Sequence, residues 1–382
     1  MNLSVGIVGL PNVGKSTLFN ALLKKQAAFV ANYPFATIEP NIGIVPVPDT
    51  RLEQLSDIVA NEMLKQVQHD KEKRPPIVPA TVKFVDIAGL VKGANEGAGL
   101  GNKFLSHIRE VSIIAHVVRA FEDPNVIKEG SVDPKSDYQT IQTELILADL
   151  ETITNSKRKN QSAKPPASQR GEQLKTQSFL DKILESLNAG IPVREVKLLD
   201  EEKEEIKNFH FLTAKPEIVV LNVSEDDYSS SSIELIIQEY REILHFVQDD
   251  NMVVICAKIE AELSELSEED QKQYLKDLGF AYSGLERLIQ KAYETLGLIS
   301  FLTAGEKEVR AWTLRAGETA ISASGHIHTD FMAKFIKAEV VSFEDFVQNK
   351  GWKGAREAGK SRFEGRDYIM QDGDVVEFKI GT

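Results

Sequence analysis

The feature that most constrains this chain is a candidate phosphate-binding loop close to its first residue. Residues 9–17 read GLPNVGKST, which matches the pattern G-x-x-x-x-G-K-[ST]. An apolar run that ends at Val8 predicts a strand before the loop, and an apolar stretch from Leu18 predicts a helix after it. Glycines let backbone N–H groups close around phosphates while the helix N-terminus faces them. This order therefore predicts a nucleotide site, and a glycine-rich turn that serves only the strand–helix geometry is the alternative.

Two further motifs supply the groups that a nucleoside triphosphate with Mg²⁺ requires. In the loop, Lys15 is expected to reach the β- and γ-phosphates as a catalytic residue, and the Ser16 hydroxyl to ligate Mg²⁺. Downstream, a D-x-x-G motif at a predicted strand end places Asp86 to hold a Mg²⁺-bound water and the Gly89 N–H to contact the γ-phosphate. Between these motifs, Thr37 offers a hydroxyl as the second protein ligand of Mg²⁺.

The residue after D-x-x-G is Leu90, where many small GTPases carry a glutamine that orients the attacking water. Leucine cannot do this. Either hydrolysis is slow, or another group positions the water, or Leu90 is a packing residue with no bearing on the rate.

The predicted base-recognition loop departs from the guanine-specific pattern. Guanine-binding proteins place N-K-x-D after the fifth core strand, whereas residues 222–225 read NVSE. The longer carboxylate of Glu225 misplaces the bidentate contact to guanine, and the Asn222 amide can instead pair with adenine N6 and N7. The segment Cys256-Ala257-Lys258 is expected to give a backbone N–H to the base, which assigns Ala257 to the site. The sequence therefore favours adenine over guanine.

Short β-branched runs recur on both sides of a region with a different, helical texture. The predicted strands lie at residues 5–8, 42–47, 81–86, 113–118, 217–222 and 252–257. Their alternation with helices indicates a parallel sheet covered on both faces. We therefore expect an α/β nucleotide-binding domain (1–127 and 212–298), an inserted antiparallel helical hairpin (128–211) and a C-terminal α+β domain (299–382).

Within the insertion, residues 156–169 (SKRKNQSAKPPASQ) are expected to be the break between two helices. A plain linker is the alternative for the whole insertion.

Bulk composition excludes several classes of protein. With 42% apolar and 27% charged residues, and no run of about 18 apolar residues, a membrane partner is not expected. The formal charge of −13 argues against a protein coated in nucleic acid, so DNA is not expected as a partner. The single cysteine, Cys256, excludes an internal disulfide, fits a reducing cytosol and lies in an apolar run that favours a buried thiol over a redox sensor.

The motifs GLPNVGKST, NYPFATIEPN, VDIAGLVKGA, GLGNKFL, HVVRAF and NVSE, in this order, resemble those of the Obg-like ATPases of the YchF family. The resemblance covers nearly the whole chain, and residues 299–382 resemble a TGS domain. It implies a cytoplasmic, Mg²⁺-dependent ATPase within a superfamily of GTPases, with the ribosome (its large subunit or the whole particle) as partner. The family pattern assigns phosphate binding to consecutive residues, Asn12, Val13, Gly14, Lys15, Ser16 and Thr17.

The same resemblance implies Ser16 and Thr37 as Mg²⁺ ligands and Val223 as a backbone contact to the base. Related proteins use a P-loop asparagine to hold a monovalent cation, so Asn12 makes K⁺ a candidate cofactor. Relatives often carry a histidine, proposed to assist hydrolysis, after the HVVRxF motif. Lys128 occupies that place here, and no catalytic histidine is assigned.

Two readings of the function compete with an ATPase switch. One is a ribosome-associated GTPase, and the other is a nucleotide-gated binding protein whose hydrolysis only resets it. For ribosome contact the sequence offers two basic segments, 157–175 and 350–366, in an otherwise acidic chain. The alternative for each segment is an ordinary solvated surface.

Overall fold

The computed structural model describes residues 3–32, 41–66, 74–87, 99–122, 133–162, 170–243 and 251–381. The chain divides into two compact units: Met1–Ile44 with Lys83–Lys291, and Val45–Val82 with Ala292–Thr382. Across the described ranges, no helix combines the length and the apolar character needed to cross a membrane.

The sheet that carries the first unit has the strand order β2-β4-β1-β5-β6-β7. Its strands are β1 (Ser4–Val8), β2 (Ile42–Pro46), β4 (Thr81–Asp86), β5 (Ile113–Ala120), β6 (Glu217–Val223) and β7 (Met252–Ile255). β1 pairs in parallel with β4 and β5, and β5, β6 and β7 continue the parallel ladder. Every residue of β1, β6 and β7 is buried, which is why these strands read as continuous apolar runs. The predicted parallel sheet is confirmed.

Helices, counting those of the inserted region, belong to or adjoin the first unit. They are α1 (Lys15–Asn32), α3 (Gly99–Glu110), α4 (Pro134–Ser162), α5 (Arg170–Asn188), α6 (Asp200–Ile206), α7 (Ser230–Ile243), α8 (Ala257–Leu263), α9 (Glu268–Asp277) and α10 (Gly284–Thr295). One core cluster joins Val8 and Ile114 of the strands to Ile108 of α3 and to Ile141 and Leu145 of α4. A second joins strands β5–β7 to α8, and both consist of side chains that are almost fully buried.

The inserted region forms the predicted pair of packed helices, α4 and α5. Ile153 of α4 lies in one buried cluster with Leu180 and Ile183 of α5, and Lys157 near the end of α4 is ion-paired with Asp181. The prediction of a break at 156–169 is wrong for its first part, because α4 continues through Ser162. Lys, Arg and Gln are good helix formers, so the polar composition there does not end the helix. Residues 163–169 lie outside the described residues.

The second unit is built on a sheet with the order β11-β10-β12-β8-β9-β3. Its strands are β3 (Ile77–Val78), β8 (Leu298–Ala304), β9 (Val309–Arg315), β10 (Phe335–Ser342), β11 (Arg362–Glu364) and β12 (Asp374–Ile380). Its helices are α2 (Arg51–Gln66), α11 (Ala320–Ile327), α12 (Thr329–Lys334), α13 (Phe343–Gln348) and α14 (Trp352–Glu357). This mixture of strands and helices fits the α+β class that the sequence predicts.

The second unit extends beyond the predicted domain 299–382, because residues 45–82 belong to it and not to the nucleotide-binding unit. The physical reason is long-range packing. The apolar face of α2, which includes Leu52 and Leu55, is buried, and α2 packs on β8 and β9. Strand β3 adds to the sheet by pairing in parallel with β9. The inserted hairpin at 128–211 groups with the first unit.

Candidate nucleotide-binding site

The P-loop joins β1 to α1, and its shape depends on Gly14. This glycine has φ = 99°, in the region that residues with a side chain rarely adopt. A Cβ atom there would lie 2.3 Å from the Nδ2 atom of Asn222. The Leu18 N–H donates to the Gly14 carbonyl at 3.0 Å, which starts α1 directly after the loop. The predicted order of strand, loop and helix is confirmed.

Lys15 is held inside the P-loop. The residue is 8% exposed, and its Nζ atom donates to the Leu10 carbonyl oxygen at 2.6 Å. Burial lowers the pKa of Lys15 to about 8, and the nearby carboxylate of Asp86 opposes this shift. The lysine therefore already lies in the loop, bonded to a carbonyl that a phosphate oxygen could replace.

Asp86 ends β4 at the same edge of the sheet. It is in register with Ile7 of β1, and the next residue, Ile87, donates its N–H to the Ile7 carbonyl. Burial raises the pKa of Asp86, and the positive charge of Lys15 opposes this rise. This mutual effect shows that the lysine predicted to bind phosphate and the carboxylate predicted for the metal site lie close enough to influence each other.

The donor set at this edge fits a hard divalent cation. Ser16 presents an exposed hydroxyl in the first turn of α1, and Asp86 presents a carboxylate. Among the described residues no cluster of three or more His, Cys, Asp or Glu could hold a metal. A cation here would therefore take its other ligands from water and phosphate oxygens, as P-loop proteins do. The predicted ligand Thr37 and the predicted catalytic Gly89 lie outside the described residues.

Asn222 connects two loops of the site. This residue is 4% exposed. Its Nδ2 atom donates to the Val13 carbonyl at 2.9 Å, and its Oδ1 atom accepts from the Ala257 N–H at 2.9 Å. The buried amide of Asn222 thus accepts the Ala257 N–H, and a backbone N–H from the loop at residues 256–258 to the base stays a prediction. Among the described residues, one N–H and one lone pair of the amide have no partner, and direct pairing with adenine stays a prediction.

These loops surround a cavity of about 720 Å³, within the range of small-molecule sites. Its walls follow β1, β5, β6 and β7 at their carboxyl ends, where ligands bind in open parallel sheets. Nine residues predicted for the site line it: Asn12, Gly14, Lys15, Ser16, Thr17, Asn222, Val223, Glu225 and Ala257. Val13 does not line the cavity; it is buried and its carbonyl accepts a hydrogen bond from Asn222.

The cavity is also lined by residues to which the motifs assigned no role. Lys258 donates to Glu225 Oε2 at 2.6 Å, so the carboxylate that replaces the aspartate of the guanine motif is ion-paired. Phe121 and Glu122, which follow β5, also line the cavity. Their position directly after the strand of the HVVRAF motif was the available signal. Cys256 lines the cavity as a buried free thiol whose pKa is raised by burial.

Comparison with known proteins decides the family. Residues 4–148 match the family model described as a 50S ribosome-binding GTPase, and residues 298–381 match the YchF GTPase C-terminal model, described as a protein of unknown function. "Ribosome-binding ATPase YchF" of Bacillus subtilis (strain 168) is 46% identical over 385 residues, and its namesake in Haemophilus ducreyi is 48% identical over 386. Each alignment covers 100% of both chains.

The chain belongs to the YchF family. A solved structure described as the Schizosaccharomyces pombe YchF GTPase superposes with a TM-score of 0.85, at 35% identity, and covers 99% of this chain and 98% of that one. The YchF fold therefore extends over both units of this protein, and the resemblance seen in the motifs is confirmed. The names of these relatives differ in the nucleotide, ATP for the two bacterial proteins and GTP for the yeast structure.

Proposed function

We propose that this YchF-family protein is a Mg²⁺-dependent ATPase that hydrolyses ATP to ADP and phosphate and acts as a ribosome-associated nucleotide switch. The observation that carries the choice of ATP is the base end of the cavity. Val223 stands where guanine-binding proteins have lysine, and the Glu225 carboxylate is engaged by Lys258. The names of the bacterial relatives support both the ATPase activity and the ribosome as partner.

The chain's own groups act mainly by positioning and by charge. On nucleotide binding, Lys15 exchanges the Leu10 carbonyl for phosphate oxygens and neutralises charge that develops during transfer. Asn222 fixes the P-loop to the loop at Ala257, so the phosphate and base ends of the cavity keep one geometry. Ser16, Asp86 and Thr37 would hold Mg²⁺, which supplies further charge stabilisation when bound.

Leu90 cannot orient the attacking water, so turnover in isolation is slow and a partner accelerates it. The description of the matching family model favours the large ribosomal subunit as that partner. A cytoplasmic location follows from this partner, and K⁺ at Asn12 is the proposed additional cofactor. DNA is not proposed as a partner, because the formal charge of the chain is −13.

Competitive binding of ATP and GTP tests the proposal. We expect at least a tenfold preference for ATP, about 1.4 kcal/mol. Joint replacement of Val223→Lys and Glu225→Asp should move the preference toward GTP, because it rebuilds the guanine-binding pattern. Glu262→Gln, which alters another charged residue of the same cavity, is the matched control and should leave the ratio unchanged. Equal affinity of the unaltered protein for both nucleotides would contradict the adenine assignment.

Two other functions can be separated from this proposal by experiment. The yeast structure's description and the family model both say GTPase, and the competition experiment separates that reading from an ATPase. A binding protein whose hydrolysis only resets it would show no faster turnover on the ribosome than in solution.

A further inference from the structure

A buried guanidinium lies beside the base end of the cavity, outside the machinery described above. Arg119, on β5, is 2% exposed. No carboxylate among the described residues forms an ion pair with it, and its Nη1 atom has no hydrogen-bond partner within the same ranges. Burying a guanidinium is costly unless other groups compensate its charge, so the contacts that Arg119 makes within the described ranges matter for its role.

Within the described ranges, the hydrogen bond and the cation–π contact of the Arg119 guanidinium are both with Phe121. Its Nε atom donates to the Phe121 carbonyl at 3.1 Å. Its guanidinium carbon lies 4.5 Å from the centroid of the Phe121 ring, within the range of a cation–π contact. Arg119 thus holds both the backbone and the side chain of Phe121.

Phe121 lies toward the end of the cavity expected to take the base. On the adjacent strand, Arg119 is in register with Asn222 and Ala120 with Val223, so Phe121 emerges next to the base-recognition loop. Phe121 lines the cavity, whereas Arg119 does not. The guanidinium therefore acts on the cavity through Phe121.

We propose that Arg119 is a positioning residue for binding of the base: it holds Phe121 in place, and Phe121 forms the apolar wall against which the purine base binds. This inference rests on the proposed function, since it needs a purine nucleotide in the cavity. It separates base binding, which depends on Arg119, from phosphate binding, which depends on the P-loop.

The chain provides a matched control in Arg287. Its guanidinium lies 5.0 Å from the ring of Phe280, and it donates to Tyr228 Oη at 3.0 Å and the Val254 carbonyl at 2.9 Å. Its Nε atom is buried without a hydrogen-bond partner among the described residues. Neither Arg287 nor Phe280 lines the cavity, so Arg287→Met removes a similar guanidinium–phenylalanine contact away from the nucleotide.

The experiment compares ATP with inorganic tripolyphosphate, both as Mg²⁺ complexes, competing for the full chain against a fluorescent ATP analogue. In Arg119→Met we expect ATP affinity to fall roughly tenfold, the scale of one lost base–aromatic contact, while tripolyphosphate affinity stays unchanged. Phe121→Ala should lose ATP affinity to the same degree, and the double variant should lose no more, because both changes remove one interaction. Arg287→Met should alter neither ligand.

Three results would overturn the inference: unchanged ATP affinity in Arg119→Met, an equal loss for both ligands, or additive losses in the double variant. If thermal melting shows that Arg119→Met is unfolded, Arg119→Lys replaces it as the test of the inference. An ammonium keeps the charge but lacks the planar face and the Nε donor, so we expect the same selective loss of ATP affinity. Wild-type ATP affinity in Arg119→Lys would overturn the inference, whereas a wild-type chain that binds no ATP would refute the proposed function itself.

Discussion

At the scale of the residue, Lys15 carries a titration that nucleotide binding should expose. Its pKa is about 8 because the side chain is buried, whereas an ordinary lysine titrates near 10.5. Phosphates nearby stabilise the charged form and raise this pKa. Below pH 8, Lys15 is already protonated in the free protein, so ATP binding is accompanied by little proton uptake. Above pH 8, Lys15 is mostly neutral in the free protein and must take up a proton when ATP binds. ATP affinity should therefore fall as the pH rises beyond about 8.

Calorimetry measures the number of protons taken up per ATP bound. The titrations are made at about pH 7 and about pH 9, each in two buffers of different ionisation enthalpy. We expect approximately one more proton per ATP at the higher pH. Lys15→Arg is the control, because a guanidinium does not titrate in this range and the difference should vanish. Equal uptake at both pH values in the wild-type chain would show that Lys15 is not the titrating group.

Asn12 allows a sharp test of the proposed K⁺ site. Its backbone has φ = 62°, a left-handed conformation that asparagine tolerates and alanine does not. Asn12→Ala would therefore combine the loss of the amide with backbone strain. Asn12→Gly removes the amide and keeps the conformation. We expect wild-type ATP turnover to be faster in K⁺ than in Na⁺ and Asn12→Gly to lose this difference; a variant that keeps it would exclude Asn12 as the cation ligand.

At this scale the sequence motifs anticipate where the residues of the phosphate end lie, whereas contacts at the base end could not be predicted from them. Lys15, Ser16 and Asp86 are specified by motifs whose spacing fixes their geometry, and they meet at one sheet edge. The bond from Ala257 to Asn222 and the ion pair of Glu225 with Lys258 join loops distant in sequence. No local pattern encodes such contacts.

At the scale of the element, the inserted helices are tied to the sheet by a buried polar network around Glu217. This carboxylate, at the start of β6, accepts from Gln142 at 2.6 Å, from Tyr138 at 3.1 Å and from Arg194, and it lies 3.0 Å from His116 Nδ1. Arg194 foremost, together with the other donors, outweighs the cost of burial and lowers the pKa of Glu217. Because Glu217 is buried and the Arg194 side chain is largely buried, the charge of either one needs the other to compensate it if the fold is to be stable.

We predict that Arg194→Met destabilises the first unit by about 3 kcal/mol, because it leaves a buried carboxylate without its opposite charge. Adding Glu217→Gln should restore part of that loss, since no charge then remains to be compensated. Hydrogen exchange of the β6 amides measures both effects. A double variant less stable than Arg194→Met would contradict this account of the network.

Helices and strands were predicted from hydrophobic periodicity. This prediction succeeds where a segment's own pattern of apolar residues is enough to show that it is buried. The runs that became β1, β6 and β7 are mostly apolar, with Glu217 and Asn222 as the polar exceptions in β6, and their assignment needed no tertiary information. The placement of 45–82 failed because β3 pairs with β9 across more than two hundred residues. The apolar face of α2 indicates that another element packs against it, but the sequence of α2 does not identify that element.

At the scale of the whole molecule, internal ion pairs reduce the basic surface offered to ribosomal RNA. In segment 350–366, Arg356 is bonded to the buried carboxylate of Glu339, whose pKa it lowers to about 2, and Lys360 is paired with Asp345. Reversing the charge at Arg356 would place two carboxylates together and damage the fold. The surface test therefore belongs at exposed lysines.

We predict that Lys353→Glu with Lys360→Glu weakens co-sedimentation with ribosomes and reduces its salt dependence, because phosphate contacts release counterions. The Lys360 pair is exposed, so breaking it costs little stability. Lys203→Glu with Lys207→Glu, which changes two exposed ion-paired lysines outside both basic segments, is the matched control. Equal binding of the two double variants would remove segment 350–366 from the partner surface.

Steady-state turnover of ATP and of GTP, each with and without purified ribosomes, tests the central claim most directly. Our account predicts that kcat/KM for ATP exceeds that for GTP at least tenfold, about 1.4 kcal/mol, and that ribosomes raise ATP turnover. Equal or better use of GTP, or ATP turnover that ribosomes leave unchanged, would contradict the assignment of this chain as a ribosome-associated ATPase switch.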